Sequence, residues 1–324
     1  VVSMKPAVAT ILIAGAGQLG SRYLQGLAKC RQPLMIYVQD IREVSLVRAK
    51  QRWDEVHGPE TRHVVSFHAS FESLPRQCDI AIVATTADVR PRVIAEVADR
   101  SAVRFWVLEK VLAQSESGLD EIMAHIGVGS SAWVNTLRRM LPWHQQLKSQ
   151  LDLEPPLILK VDGGKWGLAC NAVHFLDLLA WWTGETLQEV NTDRLSQRWF
   201  EGKRQGNWEV LGTLGARFSG GSQALLSAGE GEACYSMTVS DHRRLWKINE
   251  EEGLARRSDG IEIQGRIPYQ SEISAALVES ILESGCCGLP TLEESAAIHR
   301  VFIHGMQEHW KRTADPAAIC VPIT

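Results

Sequence analysis

Ala9-Thr10-Ile11-Leu12-Ile13-Ala14-Gly15-Ala16-Gly17-Gln18-Leu19-Gly20 is the stretch that decides the fold of this chain. Its first six residues form an apolar run stopped by glycine, the pattern of a buried strand. Leu19, Tyr23 and Leu27 then recur at a spacing of four, which gives one apolar face to a helix over Gln18–Lys29. A second strand, Leu34–Val38, follows and leads to Asp40, twenty residues past Gly20. Each glycine answers a different demand. Gly15 permits a tight turn, Gly17 lets backbone approach a pyrophosphate, and Gly20 lets the helix pack closely on the strand. The helix opened by Gln18 and Leu19 offers free N–H groups and a positive dipole end to a phosphate. Asp40 is placed to hold two ribose hydroxyls, and its charge repels a 2′-phosphate. The pattern predicts a dinucleotide site and favours NAD, while Arg42, two residues on, keeps NADP open.

Working outward, short apolar runs alternate with helical patterns as far as residue 135. The strands are Val64–Phe67, Asp79–Ala84, Val103–Leu108 and Ala132–Val134, with helices at Val44–Trp53, Arg90–Ala98 and Leu119–Ile126. Such alternation predicts a parallel sheet covered on both faces. Past Arg139 the rhythm changes. Leu157–Val161 and the helix Asn171–Trp182 are followed by Glu209–Phe218, Ser222–Ala228, Tyr235–Val239 and Leu245–Asn249, with no helices between them. That run predicts an antiparallel sheet with one wet face, closed by helices at Ser271–Leu282 and Leu292–Trp310. The expected fold class is α/β. It comprises an N-terminal Rossmann dinucleotide-binding domain, residues 1–135, and a C-terminal α+β domain with a largely antiparallel sheet, residues 136–324.

Composition narrows the function. Of 324 residues, 45% are hydrophobic and 22% charged, enough apolar material for a substantial core. A net charge of −4 lacks the electropositive footprint of a nucleic-acid binder. The apolar runs are too short and too often broken by charge to span a bilayer, and no leader pattern opens the chain. Seven cysteines without a CxxC pair suggest neither a zinc site nor a disulfide framework, so a reduced, cytoplasmic protein is expected. No metal site is expected. His299, His304 and His309 recur every five residues, a spacing that spreads them around a helix.

Further motifs carry a resemblance. The fifth strand runs into Leu108-Glu109-Lys110-Val111, and Cys170-Asn171-Ala172-Val173-His174-Phe175-Leu176-Asp177 is followed by Trp181-Trp182-Thr183-Gly184. Together with the glycine turn, Asn135 and Arg139-Met140-Leu141-Pro142, these resemble the Gfo/Idh/MocA oxidoreductases over nearly the whole chain. The resemblance implies nicotinamide lying between a Rossmann domain and a sheet domain, and hydride transfer to or from a hydroxyl-bearing carbon of a sugar, inositol or sugar derivative. It places Thr85, Thr86, Arg90, Glu109 and Lys110 around the cofactor. Lys110 would touch the reacting oxygen and His174 would donate or accept the proton. Arg139, Trp166, Asn171 and Asp177 would join Lys110 and His174 around the substrate. The residue types suit the task. Imidazole accepts a proton near neutral pH, and an ammonium stabilises a developing alkoxide. A homodimer or homotetramer pairing through the second sheet is also implied.

Four positions depart from the family pattern. Cys170 stands where the family has an aspartate completing the Lys–Asp–His set, Val111 replaces the proline after Glu-Lys, Thr86 a Pro or Asn, and Arg90 a His. Cys170 leaves the site short of one carboxylate. That change keeps open a catalytically lapsed dinucleotide-binding sensor or regulator, and the family resemblance also admits a glycosidase that uses bound NAD without net turnover.

Overall fold

Strand β1 (Ala9–Ala14) forms where the apolar run has both faces to bury, and only Thr10 is left partly open. The computed structural model describes residues 8–58, 61–127, 131–154, 156–241 and 243–324. After β1 come α1 (Gln18–Leu27), β2 (Leu34–Gln39), α2 (Glu43–Asp54), β3 (Val64–His68), β4 (Gln77–Val83), α3 (Arg90–Arg100), β5 (Ala102–Leu108), α4 (Glu116–Ile126) and β6 (Ser131–Val134). The six strands are all parallel, in the order β3-β2-β1-β4-β5-β6. That order changes direction between β1 and β4, and ligands of open α/β sheets bind outside the carboxyl ends of strands at such a switch point. β1 ends in the glycine turn and β4 leads to Thr85.

A 3-10 turn, Leu137–Met140, and α5 (Pro142–Gln150) lead into the second sheet. Its elements are β7 (Ile158–Gly163), α6 (Leu168–Thr183), β8 (Leu187–Glu201), β9 (Trp208–Phe218), β10 (Gln223–Ala228), β11 (Tyr235–Ser240), β12 (Leu245–Asn249), β13 (Leu254–Arg257) and β14 (Glu262–Gln264). The order is β14-β13-β12-β11-β7-β10-β9-β8, and β7 with β10 is its one parallel pair. The helices α7 (Gln270–Ser284) and α8 (Leu292–Thr313) follow. Inward residues Leu159, Val161, Leu214, Leu226 and Val239 are enclosed, and α6 packs on β9, β10 and α8. The outward alternation, with Ile158, Lys160 and Lys247 exposed, gives this sheet the one open face that its pattern predicts.

The chain divides into two compact units, one of residues 1–109, 120–135 and 268–291, the other of residues 110–119, 136–267 and 292–324. The boundary expected at 135/136 marks one of several crossings. Lys110 therefore belongs to the second unit, together with α6. The segment carrying α7, expected in the second domain, packs on α1 in the first; a Cβ on Gly26 would stand 2.7 Å from that of Ser274. Among the described residues, no helix is long and apolar enough to cross a membrane.

Candidate functional site

In the first unit, the glycine turn has the geometry that its sequence demands. Gly15 adopts φ +94°, and a Cβ there would meet Ala84 and Thr85 at 3.0 Å. Gly20 has no room for a side chain at all, since its Cβ would lie 1.8 Å from the Gly15 carbonyl oxygen. Gly17 is different. It is the N-cap of α1, makes no side-chain cap bond, and a Cβ there would find only the Arg42 guanidinium, 3.9 Å away. The first turn of α1 also contains no acidic residue. The backbone is thus bare at the point where a pyrophosphate would approach.

Asp40 is buried directly after β2. Its Oδ2 accepts the Ala16 N–H at 2.8 Å and its Oδ1 the Arg42 N–H at 2.8 Å, so the carboxylate braces the turn. Each oxygen keeps a lone pair that a ribose hydroxyl can use. The Arg42 side chain is 67% exposed, with Nε 3.7 Å from Asp40 Oδ1. Arg52, not singled out from sequence, reaches from α2 to the start of α1 and donates to Gln18 Oε1 at 2.6 Å and Ser21 Oγ at 2.5 Å. Leu19 lies beside Gln18 in that first turn, half-buried.

At the other strand ends, Thr85 and Thr86 are half-buried. Arg90 is 1% exposed and donates to the Thr85 carbonyl. Glu109 is likewise enclosed. Its Oε1 accepts from Tyr23 Oη at 2.7 Å and Asn135 Nδ2 at 2.7 Å, and Asn135 Nδ2 also faces Gln270 Oε1 at 2.9 Å. This network ties α1, β5, the end of β6 and α7 together and fixes the strand end that precedes Lys110.

In the second unit, Lys110 and His174, 64 positions apart in sequence, are brought to one helix. The half-buried Lys110 Nζ donates to the Cys170 carbonyl at 3.1 Å and Asn171 Oδ1 at 3.3 Å, and lies 3.1 Å from Cys170 Sγ. Asn171 is locked in turn, its Nδ2 donating to the Trp166 carbonyl at 3.0 Å. His174 follows Cys170 by four residues and so shares its helix face. Its Nδ1 is enclosed and has no hydrogen-bond partner among the described residues. Burial, then the Lys110 charge, then Arg138 hold the ring well below the usual histidine pKa, so it is neutral at neutral pH.

Three residues expected around a substrate do other work. Arg139 and Asp177 form a buried two-bond pair, Nε to Oδ2 at 3.0 Å and Nη2 to Oδ1 at 2.6 Å, with Thr136 Oγ1 donating to Oδ2 at 2.9 Å. Asp177 thereby anchors α6 to the 3-10 turn. Trp166 is enclosed, with Nε1 donating to the Ser227 carbonyl at 2.8 Å and its ring edge-on to Phe175. The sequence reading passed over a second buried network. Arg138 bonds both oxygens of Glu250, which also takes Tyr235 Oη at 2.6 Å and faces His144 Nε2 at 2.8 Å. It also passed over Glu209, whose carboxylate accepts the Ala169 and Cys170 N–H groups at the start of α6. Both come from residues far apart in sequence, with no spacing motif to reveal them. Among the described residues, no group of His, Cys, Asp or Glu is arranged to hold a metal ion.

No protein-family model matches the sequence, and no curated protein is significantly similar to it. Solved structures share its fold. Scyllo-inositol dehydrogenase from Lactobacillus casei, crystallised with NAD(H) and scyllo-inositol, matches with a TM-score of 0.67 at 14% identity, over 94% of this chain and 98% of its own. UDP-N-acetylglucosamine 3-dehydrogenase from Acidithiobacillus ferrooxidans matches with a TM-score of 0.66 at 16% identity, over 96% and 99%. Biliverdin reductase from Synechocystis, in complex with biliverdin and NADP+, matches with a TM-score of 0.71 at 15% identity, over 92% and 98%. At these identities the likeness establishes a common fold, a Rossmann unit joined to a mainly antiparallel sheet unit.

Proposed function

We propose that this protein is an NAD(P)-dependent oxidoreductase of the Gfo/Idh/MocA type, moving a hydride between nicotinamide and a hydroxyl-bearing carbon of a sugar or sugar-derived substrate. The observation that carries the reading is the convergence of Lys110 on the first turn of α6, one turn before a neutral His174. Support for the cofactor comes from the glycine turn, where backbone stands open at Gly17 and closed at Gly20. The fold neighbours include two sugar or polyol dehydrogenases, one of them with NAD(H) bound.

Gly15, Gly17 and the α1 N-terminus would hold the pyrophosphate, with Asp40 at the adenosine ribose. Arg42, exposed beside it, would receive a 2′-phosphate, so NADP is a second cofactor of this reading. Bound nicotinamide supplies the hydride acceptor or donor. The Lys110 ammonium faces the substrate oxygen and stabilises charge as it becomes alkoxide-like. Neutral His174 accepts the hydroxyl proton in the oxidative direction; Lys110 and Arg138 disfavour the resulting imidazolium, so the proton is readily returned in the reductive direction. Asn171, clamped between Lys110 and the Trp166 carbonyl, sets the position of the ammonium.

The same reading has the protein cytoplasmic, which its seven free cysteines support. It also makes the protein a homodimer or homotetramer, with a second copy covering the open face of the eight-stranded sheet. Light scattering at micromolar concentration tests the assembly. For the activity, sugars, sugar acids, nucleotide sugars and inositols are incubated with NAD or NADP, and reduced nicotinamide is followed by absorbance. Turnover of at least one class is expected. Tight cofactor binding with no turnover across the panel would move the reading to a dinucleotide-binding regulator.

A further inference from the structure

Among the described residues, the polar atoms in contact with the Lys110 ammonium all belong to the first turn of α6 and carry no formal charge: the Cys170 carbonyl and thiol, and the Asn171 side-chain oxygen. The carboxylate nearest that turn arrives from the sheet. Glu209, the second residue of β9, is 9% exposed. Its Oε2 accepts the Ala169 N–H at 2.8 Å and its Oε1 the Cys170 N–H at 3.2 Å. The N-cap of α6 is Gly167, at φ +81°, which has no side chain to cap with, and a Cβ there would stand 3.3 Å from Glu209 Oε1. Cys170 is therefore bracketed, its N–H turned to Glu209 and its carbonyl and thiol to Lys110.

A hydroxyl or amide would satisfy two amide groups at a helix start. A buried carboxylate costs more to desolvate and needs a cation within reach. Lys110 is that cation. Burial raises the Glu209 carboxyl to about 7, while the two amide bonds and Lys110 act to lower it. The ionisable group acting on Glu209 is Lys110, from the 110–119 segment, while α6 presents it with the Ala169 and Cys170 N–H groups and the turn before β9 with Gly202.

We propose that Glu209 is the positioning carboxylate of the Lys110–His174 cluster: it fixes the first turn of α6 and, through Cys170, holds the Lys110 ammonium against that turn by its charge. The assignment deepens the functional reading above, yet its test needs no substrate. Glu209→Gln keeps the shape and removes the charge, whereas Glu209→Asp keeps the charge and shortens the reach. Wild type and both variants are acylated with acetic anhydride at about pH 8, where the rate follows the free amine. Peptides carrying Lys110 are quantified by mass spectrometry against exposed Lys247 as the internal reference. Loss of the opposing charge should speed Lys110 acylation about 3–10-fold relative to Lys247 in Glu209→Gln, and much less in Glu209→Asp. An unchanged ratio in Glu209→Gln, or equal rises in both variants, would reduce Glu209 to a helix cap and overturn the proposal. Should Glu209→Gln fail to fold, Lys110→Met decides. With carboxyl-labelled glutamate followed by NMR, Glu209 should titrate higher in Lys110→Met than in wild type, and an identical midpoint overturns the proposal. A shifted acylation ratio with no sugar turned over would instead sink the dehydrogenase reading and leave Glu209 in its place.

Discussion

Two helix starts, α1 in the first unit and α6 in the second, pose the same electrostatic problem and resolve it in opposite ways. Both begin at a glycine without a side-chain cap, and both present N–H groups with a positive dipole end. At α6 the anion is already in place, since Glu209 takes two of those N–H groups from within the fold. At α1 no such carboxylate is present among the described residues: the first turn has no acid, Asp40 bonds Ala16 and Arg42 instead, and space stands open over Gly17. A filled terminus organises its neighbours, here Lys110. A bare terminus at the switch point of a parallel sheet is arranged to receive an anion from outside.

The contrast extends to the cations of the second unit. Arg138 and Arg139 are each bonded twice to a buried carboxylate, whereas Lys110, among the described residues, bonds a carbonyl, a thiol and an amide oxygen. The largest expected effect tests whether this difference separates structure from chemistry. Arg139→Ala leaves Asp177 buried without its partner and should cost about 3–5 kcal/mol of stability, read by denaturant unfolding. An unchanged midpoint would return Arg139 to the substrate. Lys110→Met and His174→Ala should cost much less stability than Arg139→Ala and instead lower the single-turnover hydride-transfer rate about 10²–10⁴-fold each. Acting on one proton transfer, they should lose much less together than the product of the singles, and fully multiplicative losses would mean independent roles.

A smaller effect separates the glycines of the α1 turn. Gly20→Ala forces a methyl into the Gly15 carbonyl and should cost about 1–3 kcal/mol, while Gly17→Ala should leave the unfolding midpoint close to wild type. Equal losses would contradict the open cradle at Gly17.

The smallest effect is in pH dependence. Because the folded Glu209 carboxyl lies near 7, above the ordinary carboxylate value, the folded state binds the extra proton between them. Its contribution to stability is therefore full below the ordinary value and is lost as pH rises through about 7. His174 runs the other way, its contribution present above the usual histidine value and lost as pH falls from there through its depressed folded value. Subtracting Glu209→Gln from wild type leaves the Glu209 component, so the midpoint difference in wild type's favour should shrink from about pH 5 to about pH 8. A difference that grows over that range would reverse the sign argued here.

How much of this was legible in sequence follows the same division. The α1 turn is encoded locally: β1 begins and ends where the apolar run does, and the glycine spacing states which position tolerates a Cβ. β12 is recovered at its bounds as well. β8 is not, because its fifteen residues are largely polar and exposed and its pairing with β9 is interrupted by three register shifts, which erases the two-residue alternation. The allegiance of α7 to the first unit rests on contacts with residues some 250 positions earlier, of which Gly26 is the one local trace. In the second unit, the motifs name Lys110, Asn171 and His174, and the fold brings Lys110 to the start of the helix that carries the other two. The bond of Asp177 to Arg139 was not legible, because the two residues lie on different elements with no spacing motif between them. Glu209 was invisible as a partner of α6, being an ordinary strand residue until the sheet brings it to the helix start.

The bare α1 terminus is tested most directly by calorimetric titration of NADH and NADPH into wild type and Gly17→Val, with thermal unfolding of both. Wild type should bind, Gly17→Val should show no detectable binding, and the unfolding temperatures should be closely similar, since the valine would occupy space left open for the cofactor. Equal affinity in the two proteins, with the fold intact in both, would contradict a cofactor site at that terminus.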